Sequence, residues 1–227
     1  MTSRIFVTAT GTEIGKTYLS AAIVTAARKI DHSVHALKPL MSGFAPGAYG
    51  ASDAGILLSA LGEKVTPETV SDICLHAFPP PLAPNVAARQ LGVEIDDEEL
   101  LDFCRRGLKT DADLILVEGA GGVLSPATDD ILQADLIAAL DLPAILVTTN
   151  YLGAVSHTLT ALESLERRQI PVAAIVVSQP TPEAAAPTSL IDELLRLRPE
   201  IATVAAPFGI DPNQLGDDVL SVLNPKK

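Results

Sequence analysis

The stretch ATGTEIGKT, residues 9–17, decides how the rest of the chain is read. It follows a short apolar run at 5–9 and leads into an alanine-rich helical pattern. Strand, glycine-containing turn and helix form the setting a phosphate cradle needs. Backbone N–H groups converge on the anion there, and the helix dipole adds to them. Lys16 would meet the terminal phosphates as a point charge, and the Thr17 hydroxyl would hold Mg²⁺. The common pattern G-x-x-x-x-G-K-[ST] asks for glycine at position 10, where this chain has threonine. Its glycines are Gly11 and Gly15, so the loop is a G-x₃-G-K-T variant. The competing reading is an ordinary strand–turn–helix that contains Gly-Lys-Thr by chance.

Outward from the loop, short β-branched runs alternate with longer helical patterns. The runs lie at 5–9, 34–37, 114–118, 144–149, 172–178 and 202–207. The helical patterns lie at 16–30, 53–61, 97–107, 131–140, 155–168, 187–196 and 214–223. Continuous apolar strands suit a sheet covered on both faces. Strands alternating with helices predict β-α-β units, hence an α/β three-layer sandwich with a mostly parallel central sheet. The chain, 1–227, reads as one domain. The interval 39–95 has no obvious core strand but holds FAPGAYG (44–50) and FPPPLAP (78–84). Long loops inside a compact α/β domain are usually functional. Residues 180–188 read as a surface connection and the tail 224–227 as frayed.

Composition narrows the partners. A net charge of −12 and a pI near 4.6 argue against a nucleic-acid face and against an anionic membrane surface. ATP remains possible, because a few local donors decide its binding. Cys74 and Cys104 make neither a metal cluster nor a disulfide framework and read as buried small hydrophobes. The run after Arg4 is too short for a secretory core, and no apolar run approaches the ~20 residues of a membrane span. A soluble cytoplasmic protein is the expectation.

Four further segments carry candidate chemistry. Lys38 and Ser42 follow the second strand, on the sheet edge where open parallel sheets bind ligands. Lys38 could stabilise a transition-state charge or be a solvated loop lysine. Ser52-Asp53 opens a helix, either as a cap or as a carboxylate for Mg²⁺. LILVEGAGG (114–122) ends a buried strand in Glu118, either a second Mg²⁺ ligand or a solvent-facing strand end. LGAVS (152–156) precedes a helix whose amides could hold a carboxylate, or it is a plain helix start. His157 reads as a surface or packing residue, and the four histidines lack metal-ligand spacing. Asp96-Asp97-Glu98-Glu99 reads as favourable charge at a helix N-terminus.

Taken in order, VTATGTEIGKT, KPLMSG, SDAGIL, LAPNVAAR, LVEGAGG, YLGAVSHT and VAAPFG resemble the dethiobiotin synthetase family over most of the chain. The resemblance implies a P-loop NTPase-like fold and an ATP-dependent ligase of biotin synthesis. The implied substrates are 7,8-diaminononanoate, carbon dioxide or bicarbonate, and ATP, with Mg²⁺. It implies catalytic roles for Lys16, Lys38, Thr12 and Ser42, with Thr12, Lys38 and Ser42 at the substrate's reacting end. Thr17, Asp53 and Glu118 would gather the metal. The nucleotide would lie against Glu13, Ile14, Gly15, Lys16, Thr17, Tyr18, Asp53, Glu118, Gly119, Ala120 and Gly121. Its base would lie against Ser178, Gln179, Pro207, Phe208 and Gly209. Leu152, Gly153, Ala154 and Val155 would take the substrate's tail across a homodimer interface.

The chain departs from the family at two points. Ala9 stands where family loops begin with glycine, which is harmless if its φ is negative. Ser178-Gln179 stands where the family has an Asn-containing pair against adenine, which puts base selectivity in doubt. Three other readings compete. Partitioning-type ATPases carry a loop lysine where this chain has Gly11. Cobyrinic acid amidotransferases need a further glutaminase domain. A non-catalytic nucleotide-binding relative would not need Lys16, Thr17, Lys38, Asp53 and Glu118 together.

Overall fold

The computed structural model describes residues 3–223, so the expectation for the tail 224–227 lies outside the described residues. The central sheet is built from β1 (Ser3–Ala9), β2 (Val34–Leu37), β5 (Leu114–Glu118), β6 (Ala144–Thr149), β7 (Val172–Ser178) and β8 (Thr203–Ala206). All six are parallel, in the order β2-β5-β1-β6-β7-β8. Every residue of β5 and β6 is buried, which is why these runs read as uninterrupted hydrophobic stretches rather than alternating ones.

Chain direction sets the layers. From β1 through α1 (Lys16–Lys29) to β2 the chain steps one way across the sheet. From β5 through α6 (Gln133–Ala139), α7 (Ala154–Arg167) and α8 (Thr188–Leu197) to β8 it steps the other way. Right-handed crossovers therefore put α1 on one face and α6, α7 and α8 on the other. The helices α2 (Asp53–Leu61) and α9 (Pro212–Leu223) pack beside α1. The α1–α9 contact depends on Gly216, where a Cβ would sit 2.3 Å from the Ala22 carbonyl oxygen. The reversal of direction beside β1 opens a crevice at the carboxyl ends of the strands.

The interval 39–95 is more ordered than the sequence predicts. A separate two-stranded parallel sheet pairs β3 (Leu40–Ser42) with β4 (His76–Phe78) and buries Leu40, Met41 and Phe78. Between and after them lie α3 (Pro67–Ile73), α4 (Pro84–Gln90) and then α5 (Asp97–Gly107). Three-residue strands are too short to show a period. The helix α3 is announced only by its capping box, in which Thr66 and Thr69 bond each other's backbone N–H. The proline cluster is partly a helix start, with Pro84 in the first turn of α4.

Smaller expectations resolve locally. Residues 131 and 132 precede α6: Leu132 bridges to Pro126, and its N–H donates to Asp135 at 2.9 Å. Asp96 caps α5 by accepting from the Glu99 N–H at 2.7 Å. Most of 180–188 is exposed connection. Cys74 and Cys104 are buried, and burial pushes both thiols up to about 12. Among the described residues no helix is long and apolar enough to cross a membrane.

Candidate functional site

A cleft of about 1020 Å³ lies along the carboxyl ends of the strands. Its floor is the loop between β1 and α1. The Thr10 N–H donates to the Val147 carbonyl at 2.9 Å, and the Thr10 hydroxyl donates to Thr148 Oγ1 at 3.2 Å. Ala9 is a strand residue in register with Val147 and is not left-handed, so the alanine is tolerated. The left-handed backbone falls later, at Glu13 (φ 57°) and at Gly15 (φ 97°), which begins α1. Gly15 can hold that angle cheaply and a residue with a Cβ cannot. The Ser178 hydroxyl donates to the Ile14 carbonyl and ties the loop to the end of β7. Lys16 Nζ donates to the Gly11 carbonyl at 3.1 Å. Burial, then repulsion from Lys38, lowers the Lys16 ammonium to about 8.

The inner end of the cleft is a charge cluster. Lys38 is only 2 % exposed, and Nζ has three acceptors for its three protons. They are Glu118 Oε1 at 2.6 Å, Asp53 Oδ2 at 2.9 Å and the Gly119 carbonyl at 3.0 Å. Burial alone would push this ammonium down, but Glu118 and Asp53 outweigh it and hold it above its ordinary value. Burial pushes the Asp53 carboxyl up, and Lys38, Thr17 and Lys16 together bring it below its ordinary value. Thr17 Oγ1 is 2.8 Å from both Asp53 Oδ1 and Glu118 Oε1, so its one proton serves one carboxylate at a time. Glu118 is wholly buried, and its Oε2 has no partner.

These distances decide three readings that the sequence leaves open. Lys38 is not a solvated lysine, and Glu118 does not face solvent. Ser52 caps α2 by accepting from the Gly55 N–H at 3.0 Å, which frees the Asp53 carboxylate for the cleft. Among the described residues no three His, Cys, Asp or Glu side chains could hold a metal by themselves. A cation at Thr17, Asp53 and Glu118 would therefore need phosphate oxygens and waters as well, which is how Mg²⁺ is usually held. The unpartnered Glu118 Oε2 fits such a ligand.

Around this centre, Thr12, Ser42, Ala120 and Gly121 line the cleft. The loop after β5 is fixed by its own contacts. The Ala120 N–H donates to Gln133 Oε1 at 3.2 Å, and the Gly122 N–H donates to Ser125 Oγ at 2.8 Å. The outer end of the cleft is lined by Tyr18, Ser178, Gln179, Pro207, Phe208 and Gly209. Here Gln179 Oε1 accepts from the Phe208 N–H at 3.2 Å, and Nε2 donates to the Ala184 carbonyl at 2.8 Å. The Tyr18 hydroxyl donates to the Ile210 carbonyl at 2.6 Å.

Ile14, Glu118 and Gly119 are not among the residues that line this cleft, and one whole expected group stands apart. Leu152, Gly153, Ala154 and Val155 form the start of α7 and do not line this cleft; Leu152 is fully exposed. His157 pairs with the Tyr151 hydroxyl at 2.6 Å on the surface. Sequence reasoning missed Pro81, Leu82, Pro84 and Ser125 as lining residues, although the proline cluster flagged that loop as functional. It also missed Gln133, which is buried under the loop after β5 and carries no sequence signal.

Similar proteins bear on this geometry. A family model described as an AAA domain matches residues 3–208. The ATP-dependent dethiobiotin synthetase BioD of Phenylobacterium zucineum (strain HLK1) is 50 % identical over 184 residues, 80 % of this chain and 79 % of that protein. Its counterpart in Caulobacter vibrioides (strain NA1000 / CB15N) is 47 % identical over 176 residues, 77 % and 79 % of the two chains. Among solved structures, the MinC:MinD cell division protein complex of Aquifex aeolicus aligns with a TM-score of 0.58. That match covers 99 % of this chain and 98 % of the other at 14 % identity, a likeness of fold alone.

Proposed function

The chain belongs to the dethiobiotin synthetase family, and we propose that its cleft performs the family's reaction by phosphoryl transfer to a carbamate. The activity is the ATP-dependent synthesis of dethiobiotin, a step of biotin synthesis. In the mechanism, carbon dioxide adds to one amine of 7,8-diaminononanoate, and that amine loses a proton to give the carbamate. A carbamate oxygen attacks the γ-phosphorus of ATP; ADP leaves and a carbamic–phosphoric anhydride remains. The second amine attacks the carbamoyl carbon, phosphate leaves, and two carbon–nitrogen bonds close the cyclic urea.

The roles follow from charge and position. Lys16 and the backbone of 13–18 bind the phosphates, while Thr12, Lys38 and Ser42 hold the reacting end of the diamine. Lys38 is the residue that carries the reading: a second buried lysine, from the end of β2, meets the phosphate loop's lysine in one cleft. A switch ATPase needs no such group on the substrate side. Two lysines can neutralise the charge that builds between carbamate and phosphoryl group, and no histidine base is required. Thr17, Asp53 and Glu118 would hold Mg²⁺, which when bound neutralises the phosphates and lowers the barrier to attack. Ala120 and Gly121 border the phosphates, with Gly119 behind them, and Ser178, Gln179, Pro207, Phe208 and Gly209 border the base.

The start of α7 serves a second copy of the chain. Leu152, Gly153, Ala154 and Val155 do not line their own cleft, Leu152 is fully exposed, and Gly153 begins a 14-residue helix whose N-terminal dipole suits a carboxylate. A cytoplasmic homodimer, each protomer a single domain, completes the proposal. The test is phosphate release from ATP with diamine and bicarbonate supplied separately and together. Release that needs both, with formation of the cyclic urea, is expected. Hydrolysis indifferent to the diamine would instead indicate a switch ATPase.

A further inference from the structure

The outer end of the cleft has few free hydrogen-bonding groups. Pro180 and Pro207 have no N–H. The Gln179 N–H donates to the Ala206 carbonyl at 2.8 Å, and the Phe208 N–H is taken by Gln179 Oε1. The Ser178 hydroxyl is turned to Ile14. A glutamine reads adenine by presenting its oxygen and its nitrogen side by side to one base edge. Gln179 has spent them on two protein groups, the Phe208 N–H and the Ala184 carbonyl. Those partners also fix which end of the amide is which, since one can only donate and the other only accept.

Beside these committed groups lies apolar surface. Phe208 is 53 % exposed at the rim, in a chain with only 4 % aromatic residues. Pro180 and Pro207 extend that surface. The segment carrying Phe208 is anchored twice, by Gln179 at the Phe208 N–H and by Tyr18 at the Ile210 carbonyl. Stacking on an aromatic face tolerates every base, because every base has a π-face.

We propose that Gln179 braces the base subsite instead of reading the base, so that this end takes purine and pyrimidine triphosphates alike. The proposal rests on the base lying at this end of the cleft. Gln179 is a positioning residue: it acts on the nucleotide through the Phe208 segment. Replacing it should weaken every nucleotide to a similar degree and leave the order of preference intact.

The experiment measures binding of the β,γ-imido analogues of ATP, GTP and CTP by calorimetry, without diamine, alongside turnover with the three triphosphates. For the wild type, dissociation constants within about tenfold of one another are expected. Gln179→Met, similar in size but without hydrogen-bonding groups, should raise all three by about five- to tenfold. Their ratios should hold within about twofold, and KM should rise with kcat little changed. Gln179→Glu keeps the acceptor for the Phe208 N–H and should recover part of the loss. If Gln179→Met does not fold, Tyr18→Phe supplies the same readout from the second anchor. A wild-type preference for ATP above about a hundredfold, or an ATP-to-GTP ratio altered by Gln179→Met, would overturn the proposal. Because binding is read without diamine, failure of the ligase reading would appear in turnover and leave these ratios informative.

Discussion

The two ends of the cleft are built on opposite principles. At the inner end four charged side chains form one cluster, with Lys16, Lys38 and Glu118 buried and Asp53 partly open. The neighbouring charges act on the titration of Lys16, Lys38 and Asp53. At the outer end the side-chain contacts are neutral, the aromatic rim is exposed, and Ser178 and Gln179 are bonded to other protein groups. Buried charge discriminates sharply, because a misfit leaves a charge without a partner. A stacked neutral surface discriminates weakly. On the proposed reading the inner end fixes the chemistry, and the outer end mainly supplies grip.

The largest effect expected from this contrast is at Lys38. Lys38→Ala should reduce diamine-dependent ring closure by about a thousandfold, the upper range for one group that stabilises developing charge. Nucleotide should still bind within a few-fold of wild type by calorimetry, whereas Lys16→Ala should lose it. Equal loss of nucleotide in both variants would show that Lys38 is simply a second phosphate anchor. Next comes Glu118→Gln, which leaves a buried ammonium without its closest carboxylate. A loss of about 3–5 kcal/mol in unfolding free energy is expected, read by urea titration. Gln179→Met, by contrast, should cost about 1 kcal/mol, and similar costs at both ends would break the comparison.

Asp53 is partly open, its side chain 39 % exposed, so the expected effect is smaller. Asp53→Asn should raise the Mg²⁺ concentration for half-maximal turnover by about tenfold. Manganese binding in the presence of ATP, followed by electron paramagnetic resonance, should weaken in parallel. The smallest expected effect is no effect. Cys74 lies close enough to Lys38 to feel its charge, yet burial keeps its thiol at about 12. At pH 8 only about one thiol in ten thousand would be ionised, so a disulfide reagent should label Cys74 and Cys104 only after denaturation. Rapid labelling of native Cys74 would mean that the inner end is wetter than its burial implies.

The sequence was most legible where one stretch of chain decides the outcome. Ala174–Val177 is continuously apolar because both of its faces are covered, and the strand's bounds, Val172–Ser178, coincide with the run in the sequence. The loop 10–15 announced itself by composition. The interval 39–95 was harder, because β3 and β4 are stabilised by pairing with each other across more than thirty residues and neither has a pattern of its own. The charge cluster lay between these cases. Each member could be named as a candidate, but Lys38's burial depends on Glu118, which comes eighty positions later. The left-handed backbone falls at Glu13 and Gly15 and not at Ala9, because the chain makes that turn inside the loop and not at the strand's end. The commitments of Ser178 and Gln179 could not be foreseen, since an amide's partners follow from where two distant loops come to rest.

The placement of β1 also bears on the chain's synthesis. The strand leaves the ribosome well before both of its neighbours, since it lies between β5 and β6, where Ser3 pairs with Leu114 and Phe6 with Ala144. At about 5–20 residues per second, on the order of ten seconds pass before the second of these neighbours emerges. Until then the nucleotide loop has no wall at residue 147 to hang from. A chain arrested before β6 would carry the complete GTEIGKT sequence and Lys38 without a formed binding site. ATP cannot help such a fragment to fold, and the nascent chain must rely on its own apolar surfaces, or on chaperones, until β6 has been made.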